Sequence, residues 1–225
     1  MTKWGRQAWV LNLDVEEELA RPGGYTRSRA TEAYIRDSVP GLVASGLLPS
    51  DAVILDGNPG EEARGLQGHA WCPTPRALGR LAAAGARLPA APSLEVLARV
   101  NDRRFAAELE VEGTLAVAYL DRVDDIRAAV DGAGPWLLKR GLSFAGRGHR
   151  RLLGPWSEED ARWCQNATRA GWGVLVEALV ERIADFSLHG WLSADGAVTC
   201  GRALVQHCDT RGNWSGSEEL SKDGP

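Results

Sequence analysis

Two short apolar runs, each ending on an aspartate, organise the first half of this chain. Trp9–Leu13 ends at Asp14 and Ala52–Leu55 ends at Asp56, with an amphipathic stretch, Thr31–Ser45, between them. The runs have strand length and the intervening stretch has helix length, so strand, helix, strand and a small α/β layer are predicted. Asp14 is placed to cap a helix over Val15–Ala20, whose first turn is acidic. The stretch from Gly57 to Gly68 is rich in glycine and acid. Cys72-Pro73-Thr74-Pro75 reads as a turn into an alanine-rich helix, Arg76–Ala86. The segment from Leu88 to Ser93 holds two prolines and is the predicted linker. Ser93 then caps a helix through Val100, and Arg103–Leu109 adds a further short helix.

After Thr114 the pattern becomes strand-rich. Strands are predicted at Leu115–Leu120, Trp136–Arg140, His149–Leu153, Gly173–Val180, Ala184–Leu192 and Val198–Val205. Helices are predicted at Val123–Val130 and Ser157–Ala170, the second opening on the acidic turn Ser157-Glu158-Glu159-Asp160. Ser193-Ala194-Asp195-Gly196 is a hairpin turn. Beyond it the chain reads as a polar tail that holds Glu218, Glu219 and Asp223. No internal repeat or low-complexity block interrupts the pattern.

Composition narrows the function classes. The chain has 225 residues, 44% of them apolar and 25% charged, enough to bury a core without metal or disulfide staples. A net charge of −4 gives no electrostatic reason to expect nucleic acid or an anionic membrane as partner. Charged residues and glycines break every apolar stretch well short of a spanning helix, and the first 18 residues are too charged for a signal peptide, so a cytoplasmic protein is expected. Cys72, Cys164, Cys200 and Cys208 show no C-x-x-C spacing and are expected to be reduced, buried thiols. A shared metal for Cys200, His207 and Cys208 is the weaker reading.

The lysines carry a sharper signal. Only three of the 26 basic residues are lysines, namely Lys3, Lys139 and Lys222, and Lys139 alone stands inside an apolar strand. An ammonium is a compact point charge that can follow a phosphate, whereas a guanidinium is a planar fork. Lys139 precedes Gly141-Leu142-Ser143-Phe144-Ala145-Gly146-Arg147-Gly148 and a second strand. A glycine-bearing hairpin tip lets backbone N–H groups close over phosphates while the strand-borne ammonium reaches the same oxygens from below. The alternative is an ordinary glycine hairpin. Further on, Glu177 interrupts an apolar strand and Asp185 follows eight residues later. A nucleoside slot would use the backbone after Glu177 for the adenine edge and the Asp185 carboxylate for ribose hydroxyls. The alternative places Glu177 and Glu181 in solvent on an edge strand.

In this order and separation the features resemble the ATP-grasp superfamily over about Arg99 to Ser217. Val100-Asn101-Asp102-Arg103-Arg104-Phe105 is similar to the start of the grasp domain, with Arg103 or Arg104 in place of the family's first phosphate lysine. Trp136–Gly148 is similar to its strand and flap, with Lys139 as the second phosphate lysine and Ser143, Ala145, Gly146, Arg147 and Gly148 in the flap. Glu177 to Val180 resembles the hinge, where the backbones of Ala178 and Val180 would hold adenine, and Asp185 would stand at the ribose. The resemblance implies an α/β protein. A pre-grasp α/β domain would span residues 1–92, a first grasp subdomain with its flap 93–180, and the start of the second subdomain 181–225.

The activity implied is ATP-dependent ligation, in which MgATP phosphorylates a carboxylate and an amine or similar nucleophile displaces the phosphate. ATP and an unknown small carboxylate are the implied partners. The family's Mg²⁺ ligands, an acidic residue and a Glu-x-Asn pair, are implied to follow the hairpin by many residues, so they are expected not to lie in this chain and the grasp domain is expected to be incomplete. A non-catalytic nucleotide-binding remnant is the alternative. Two other readings come from local patterns. Gly141-Leu142-Ser143-Phe144-Ala145 approaches a G-x-S-x-G elbow, with Ser143 as nucleophile and His189 or His207 as base, but that motif requires a helix next. Arg147, His149, Arg150 and Arg151 form a basic cluster that reads as a solvated face.

Overall fold

In the computed structural model the described residues are 5–21, 23–44, 46–56, 60–109, 116–132, 134–143, 148–193, 195–209 and 214–220. They fall into two compact units, one within residues 1–109 and one within 110–225. The protein is mixed α/β, with a parallel sheet in the first unit and antiparallel sheets in the second.

In the first unit, β1 (Gln7–Val10) lies between β2 (Val53–Ile54) and β3 (Gln67–Ala70), parallel to both. Ala8 pairs with Val53 and Gly68, and Trp9 pairs with Ile54 and His69, so successive residues face opposite sides. Ala8, Val10, Val53 and Leu55 pack with Ala77 and Leu81 of α3 (Pro75–Ala83). On the other side Trp9 and Ile54 join Leu11, Leu48 and Ile35 of α2 (Arg29–Ala44). Helices on both faces explain why the strands read as apolar runs.

Capping fixes most of the helix starts. Thr74 accepts from the Ala77 N–H with Pro75 in the first turn of α3. Ser93 accepts from Val96 at α4 (Leu94–Asn101), and Asp102 from Arg104 at α5 (Arg103–Glu108). Asp14 departs from expectation at α1 (Val15–Leu19). It occupies the cap position, but its side chain makes no capping bond and turns inward to Tyr25 and Arg27. Strand β3 begins within the stretch rich in glycine and acid and has no counterpart among the expected strands, because Gln67-Gly68-His69-Ala70 carries no apolar run. Its place is set by pairing with β1.

The second unit begins β4 (Ala116–Leu120), α6 (Val123–Ala129), β5 (Trp136–Arg140), β6 (His149–Leu152), α7 (Glu158–Ala167), β7 (Val174–Ala178). Its sheet runs β4-β7-β5-β6, antiparallel throughout. Ile126 of α6 and Cys164 of α7 pack on Leu138, Leu152, Val174 and Val176, so both helices cover one face. Ser157 and Asp160 form a capping box at α7, and Asp160 also accepts from Arg150 at 2.7 Å. Arg150 reaches Glu159 as well, at 2.9 Å, which occupies one member of the basic cluster within the fold.

A three-stranded antiparallel sheet follows: β8 (Asp185–Leu192), β9 (Val198–Cys208) and β10 (Trp214–Glu219), ordered β10-β9-β8. The β8–β9 turn is the expected one, with Ser193 donating to the Ala197 carbonyl and Gly196 at φ 86°. Strand β10 corrects the expected polar tail. Glu218 and Glu219 pair in register with Val205 and Leu204, and their side chains meet His207 and Arg202. Trp214-Ser-Gly-Ser-Glu-Glu lacks an apolar alternation, so only its partner strand reveals it. Among the described residues no helix is long and apolar enough to cross a membrane.

Candidate functional site

Strand alternation creates the central feature of the second unit. On β5, Leu138 enters the core beneath α6 and α7, so Lys139 stands on the opposite face. On β7, Val174 and Val176 join Leu138, and Glu177 goes with Lys139. The register sets Leu137 opposite Glu177 and Lys139 opposite Leu175, which makes the two charged residues diagonal neighbours. Lys139 Nζ lies 2.5 Å from Glu177 Oε2, with side chains 22% and 16% exposed. An ammonium so far withdrawn from water needs an acceptor, and Glu177 supplies it. The sequence reading took these two residues separately, and the structure brings them together.

The hairpin beyond Lys139 is closed at its base. Arg140 N–H donates to the Gly148 carbonyl at 3.0 Å, and the Ser143 hydroxyl donates to the Arg140 carbonyl at 3.4 Å. Gly148 sits at φ +70°, where a Cβ would come 2.9 Å from Ser143 Cβ, so the turn requires glycine there. Ala145, Gly146 and Arg147 of the expected flap lie outside the described residues. Gly141 N–H donates to the Gly173 carbonyl at 2.9 Å, and Gly173 N–H donates to the Tyr119 hydroxyl at 2.8 Å. These bonds tie the hairpin base to β7 and β4.

The expected hinge residues occupy the exit of β7. Ala178 pairs with Trp136, Leu179 N–H donates to the Pro135 carbonyl at 2.9 Å, and Val180 is exposed. Asp185 opens β8, with its carboxylate 3.0 Å from the Arg182 guanidinium, which also donates to the Asp209 carbonyl. Among the described residues no hydrogen bond or ion pair joins Asp185 to the Lys139–Glu177 pair. Arg103 is the first residue of α5, in the first unit, and its charge partly offsets the upward push that burial gives the Glu16 carboxyl.

The competing local patterns have other structural outcomes. Strand β6 follows Ser143 where a nucleophile elbow needs a helix, and the candidate bases are engaged elsewhere. His189 bonds Ser187, and His207 lies 3.4 Å from Glu218. Cys72 and Cys164 are buried as expected, but Cys200 is exposed and Cys208 half-buried, because β9 leaves most of its side chains open to solvent; among the described residues no group of three His, Cys, Asp or Glu side chains forms a metal-binding cluster.

A buried charge cluster that the sequence reading did not assign sits in the first unit. Both Asp14 and Asp56 follow the carboxyl ends of parallel strands, where open α/β sheets commonly hold ligands. Arg27 fills that position. Its guanidinium meets both Asp14 oxygens at 2.8 Å and Asp56 at 2.6 Å. The three side chains are only 6%, 0% and 9% exposed. The Tyr25 hydroxyl donates to Asp14, Leu11 N–H donates to Asp56, and Arg80 reaches Asp56 and the Leu55 carbonyl. Burial pushes the Asp14 carboxyl up, but the bonds from Arg27 and Tyr25 outweigh it and hold the group below its ordinary value. The legible signal was an aspartate directly after each of two apolar runs. Beside them, the Asn12 side chain donates to the Cys72 carbonyl at 2.8 Å and accepts from its N–H at 3.0 Å, extending the β1–β3 ladder by one pair.

No protein-family model and no curated protein matches this sequence. Among solved structures the chain is similar to N5-carboxyaminoimidazole synthetase from Staphylococcus aureus complexed with ADP. The two share 13% identity and a TM-score of 0.47 over 95% of this chain and 57% of that one. D-alanyl-alanine synthetase A from Vibrio cholerae gives 12% identity and a TM-score of 0.46 over 97% and 77%. The ATP-grasp ligase PsnB, complexed with a minimal precursor, gives 14% and 0.38 over 96% and 75%. The chain thus spans little more than half the length of the Staphylococcus aureus synthetase.

Proposed function

We propose that the second unit is an ATP-binding module of ATP-grasp type. The observation that carries this reading is the Lys139–Glu177 pair, which the β5–β7 register holds on the sheet face away from the helices, directly before a closed glycine hairpin. In this reading the Lys139 ammonium exchanges part of its contact with Glu177 for phosphate oxygens. The hairpin from Ser143 to Gly148, including Ala145, Gly146 and Arg147, covers the same oxygens with backbone N–H groups. Ala178 and Val180 present backbone to the adenine edge, and the Asp185 carboxylate accepts from ribose hydroxyls while keeping Arg182. For such a nucleotide these residues fit in kind: a cation of small radius, a glycine-permissive turn and a strand exit at which Val180 is exposed.

The reaction class proposed for the whole protein is transfer of a phosphoryl group to a small carboxylate, followed by displacement by an amine or similar nucleophile. Magnesium would supply charge neutralisation on the phosphates. The described residues offer no cluster of three acidic or imidazole side chains for it. The contribution derived for this chain is positioning: Lys139 draws the phosphates to the sheet, and the hairpin excludes water from them.

Isothermal titration with ATP, on wild type and Lys139→Met, tests the binding claim. Saturable heat for wild type and a loss of affinity of at least about tenfold in the variant are expected, since a charge-assisted contact to phosphate is removed. No heat from a folded wild type sinks the reading. ADP release on adding small carboxylates would extend it to the ligase activity. Binding without ADP release would limit it to a nucleotide-binding protein.

A further inference from the structure

The second unit contains a cavity of about 470 Å³ at the end of its core, built from the last turn of α6, the approach to β5 and the exit of β6. That volume lies within the range of small-molecule sites. Its apolar wall consists of Val130, Leu152, Trp136 and Trp156, all of which belong to or pack on the core beneath α6 and α7. It is separate from the Lys139 pair, because Trp136 and Leu138 point to the helix side of β5 while Lys139 points to the other.

Two polar features of this wall are unspent. The Trp136 Nε1 atom is buried and finds no acceptor among the described residues. Leaving a buried donor unpaired is costly, so such a group calls for an explanation. Gly134 lies against this edge of the indole so closely that a Cβ would come 2.4 Å from Nε1, so the backbone covers the ring edge without offering it an oxygen. The second feature is Arg127, exposed at the end of α6 and on the cavity lining, with no ion pair among the described residues. Asp131 also lines the cavity, so the local charge is balanced against a dianion.

We propose that this cavity is a binding site for a small aromatic monocarboxylate. The aromatic body lies between the indoles of Trp136 and Trp156 over Val130 and Leu152, where stacking and area burial favour a flat apolar group. The carboxylate pairs with the Arg127 guanidinium, and displacement of Gly134 from the indole edge lets it also accept from the Trp136 N–H. A neutral aromatic alcohol would fill the apolar wall but leave Arg127 without a counter-charge. The site does not depend on nucleotide binding at Lys139.

The test uses the full chain labelled with ¹⁵N at tryptophan indoles, with the Trp136 cross-peak assigned from Trp136→Phe. Benzoate is the probe and benzyl alcohol the uncharged control. Benzoate is expected to move the Trp136 indole resonance saturably, and Arg127→Gln is expected to weaken that binding on the order of tenfold. Gly154→Leu provides a second variant that leaves Arg127 and Trp136 in place. A Cβ there meets open space on the cavity lining, and the leucine is expected to narrow the cavity and weaken the benzoate response. The proposal is overturned by an indole resonance that benzoate leaves in place, by equal responses to benzoate and benzyl alcohol, or by unchanged benzoate affinity in Arg127→Gln or Gly154→Leu.

Discussion

Lys139 and Glu177 meet at 2.5 Å across two strands whose pairing register sets them diagonally. Both side chains are largely withdrawn from water, so removing either leaves the other without its ion-pair partner. Lys139→Met and Glu177→Gln are each expected to lower stability, and the double variant is expected to lose less than the sum of the two. The coupling expected for residues in direct contact is about 0.5–3 kcal/mol. Urea unfolding of the four proteins in the cycle measures it. A coupling of zero would mean that the pair is not formed in solution.

Arg27 is the only cation that touches both Asp14 and Asp56 among the described residues, and its removal would leave Asp56 with one cation, Arg80, and Asp14 with the Tyr25 hydroxyl but no cation. Arg27→Ala is therefore expected to cost about 3–5 kcal/mol, the range for breaking a buried pair from one side. That is a large part of the stability of a domain this size. Hydrogen exchange should show the loss in amides of β1 and β2, and unaltered protection of the strands β5 and β7 in the other unit.

Elements that bury an apolar run were legible in the sequence, as β5 and β7 show. Trp136–Arg140 is observed with its expected bounds, and the strand expected at Gly173–Val180 is observed at Val174–Ala178. Elements recruited by a neighbour's edge were not legible. Gln67–Ala70 and Trp214–Glu219 carry little alternation of their own, and pairing with β1 and β9 places them. The candidate site divides in the same way. Lys139 stood out because an isolated lysine in an apolar strand is chemically odd, but its bond to Glu177 depends on a register that no local pattern encodes. Asp14 looked like a helix cap from its position alone. The arginine that draws it inward comes from thirteen residues further along, and a helix can keep its first turn by backbone bonds when its cap residue is taken.

The four cysteines differ enough in burial to be told apart chemically. Cys72 and Cys164 are buried, and burial pushes their thiols up to about 11 and about 12, which leaves almost no thiolate at pH 8. Cys200 is exposed, and Cys208 is half-buried with its thiol pushed up by burial and by Asp185. With a chromogenic disulfide reagent at pH 8, Cys200 is expected to react first and Cys208 more slowly, with Cys72 and Cys164 reacting only when urea is added. Mass mapping of the labelled peptides checks the order. Fast labelling of Cys164 in the absence of urea would show that the core beneath α6 and α7 opens readily.

Asp14 also gives the first unit a defined acid sensitivity. Its native carboxyl titrates below the ordinary value of 3.8, since the bonds from Arg27 and Tyr25 outweigh the upward push of burial. The unfolded chain therefore takes up this proton at a higher pH than the folded chain does. The stabilising contribution is fully present above about 3.8, and it is lost as pH falls from there through the lower native value. Asp14→Asn removes the titrating group, so the stability gap between wild type and variant is expected to be constant near neutrality and to shrink below pH 4. Urea midpoints measured from pH 6 down to pH 3 follow that gap. If it stays constant across the acid range, Asp14 is not held ionised by Arg27, and the cluster at the strand ends is kept together by packing instead of charge.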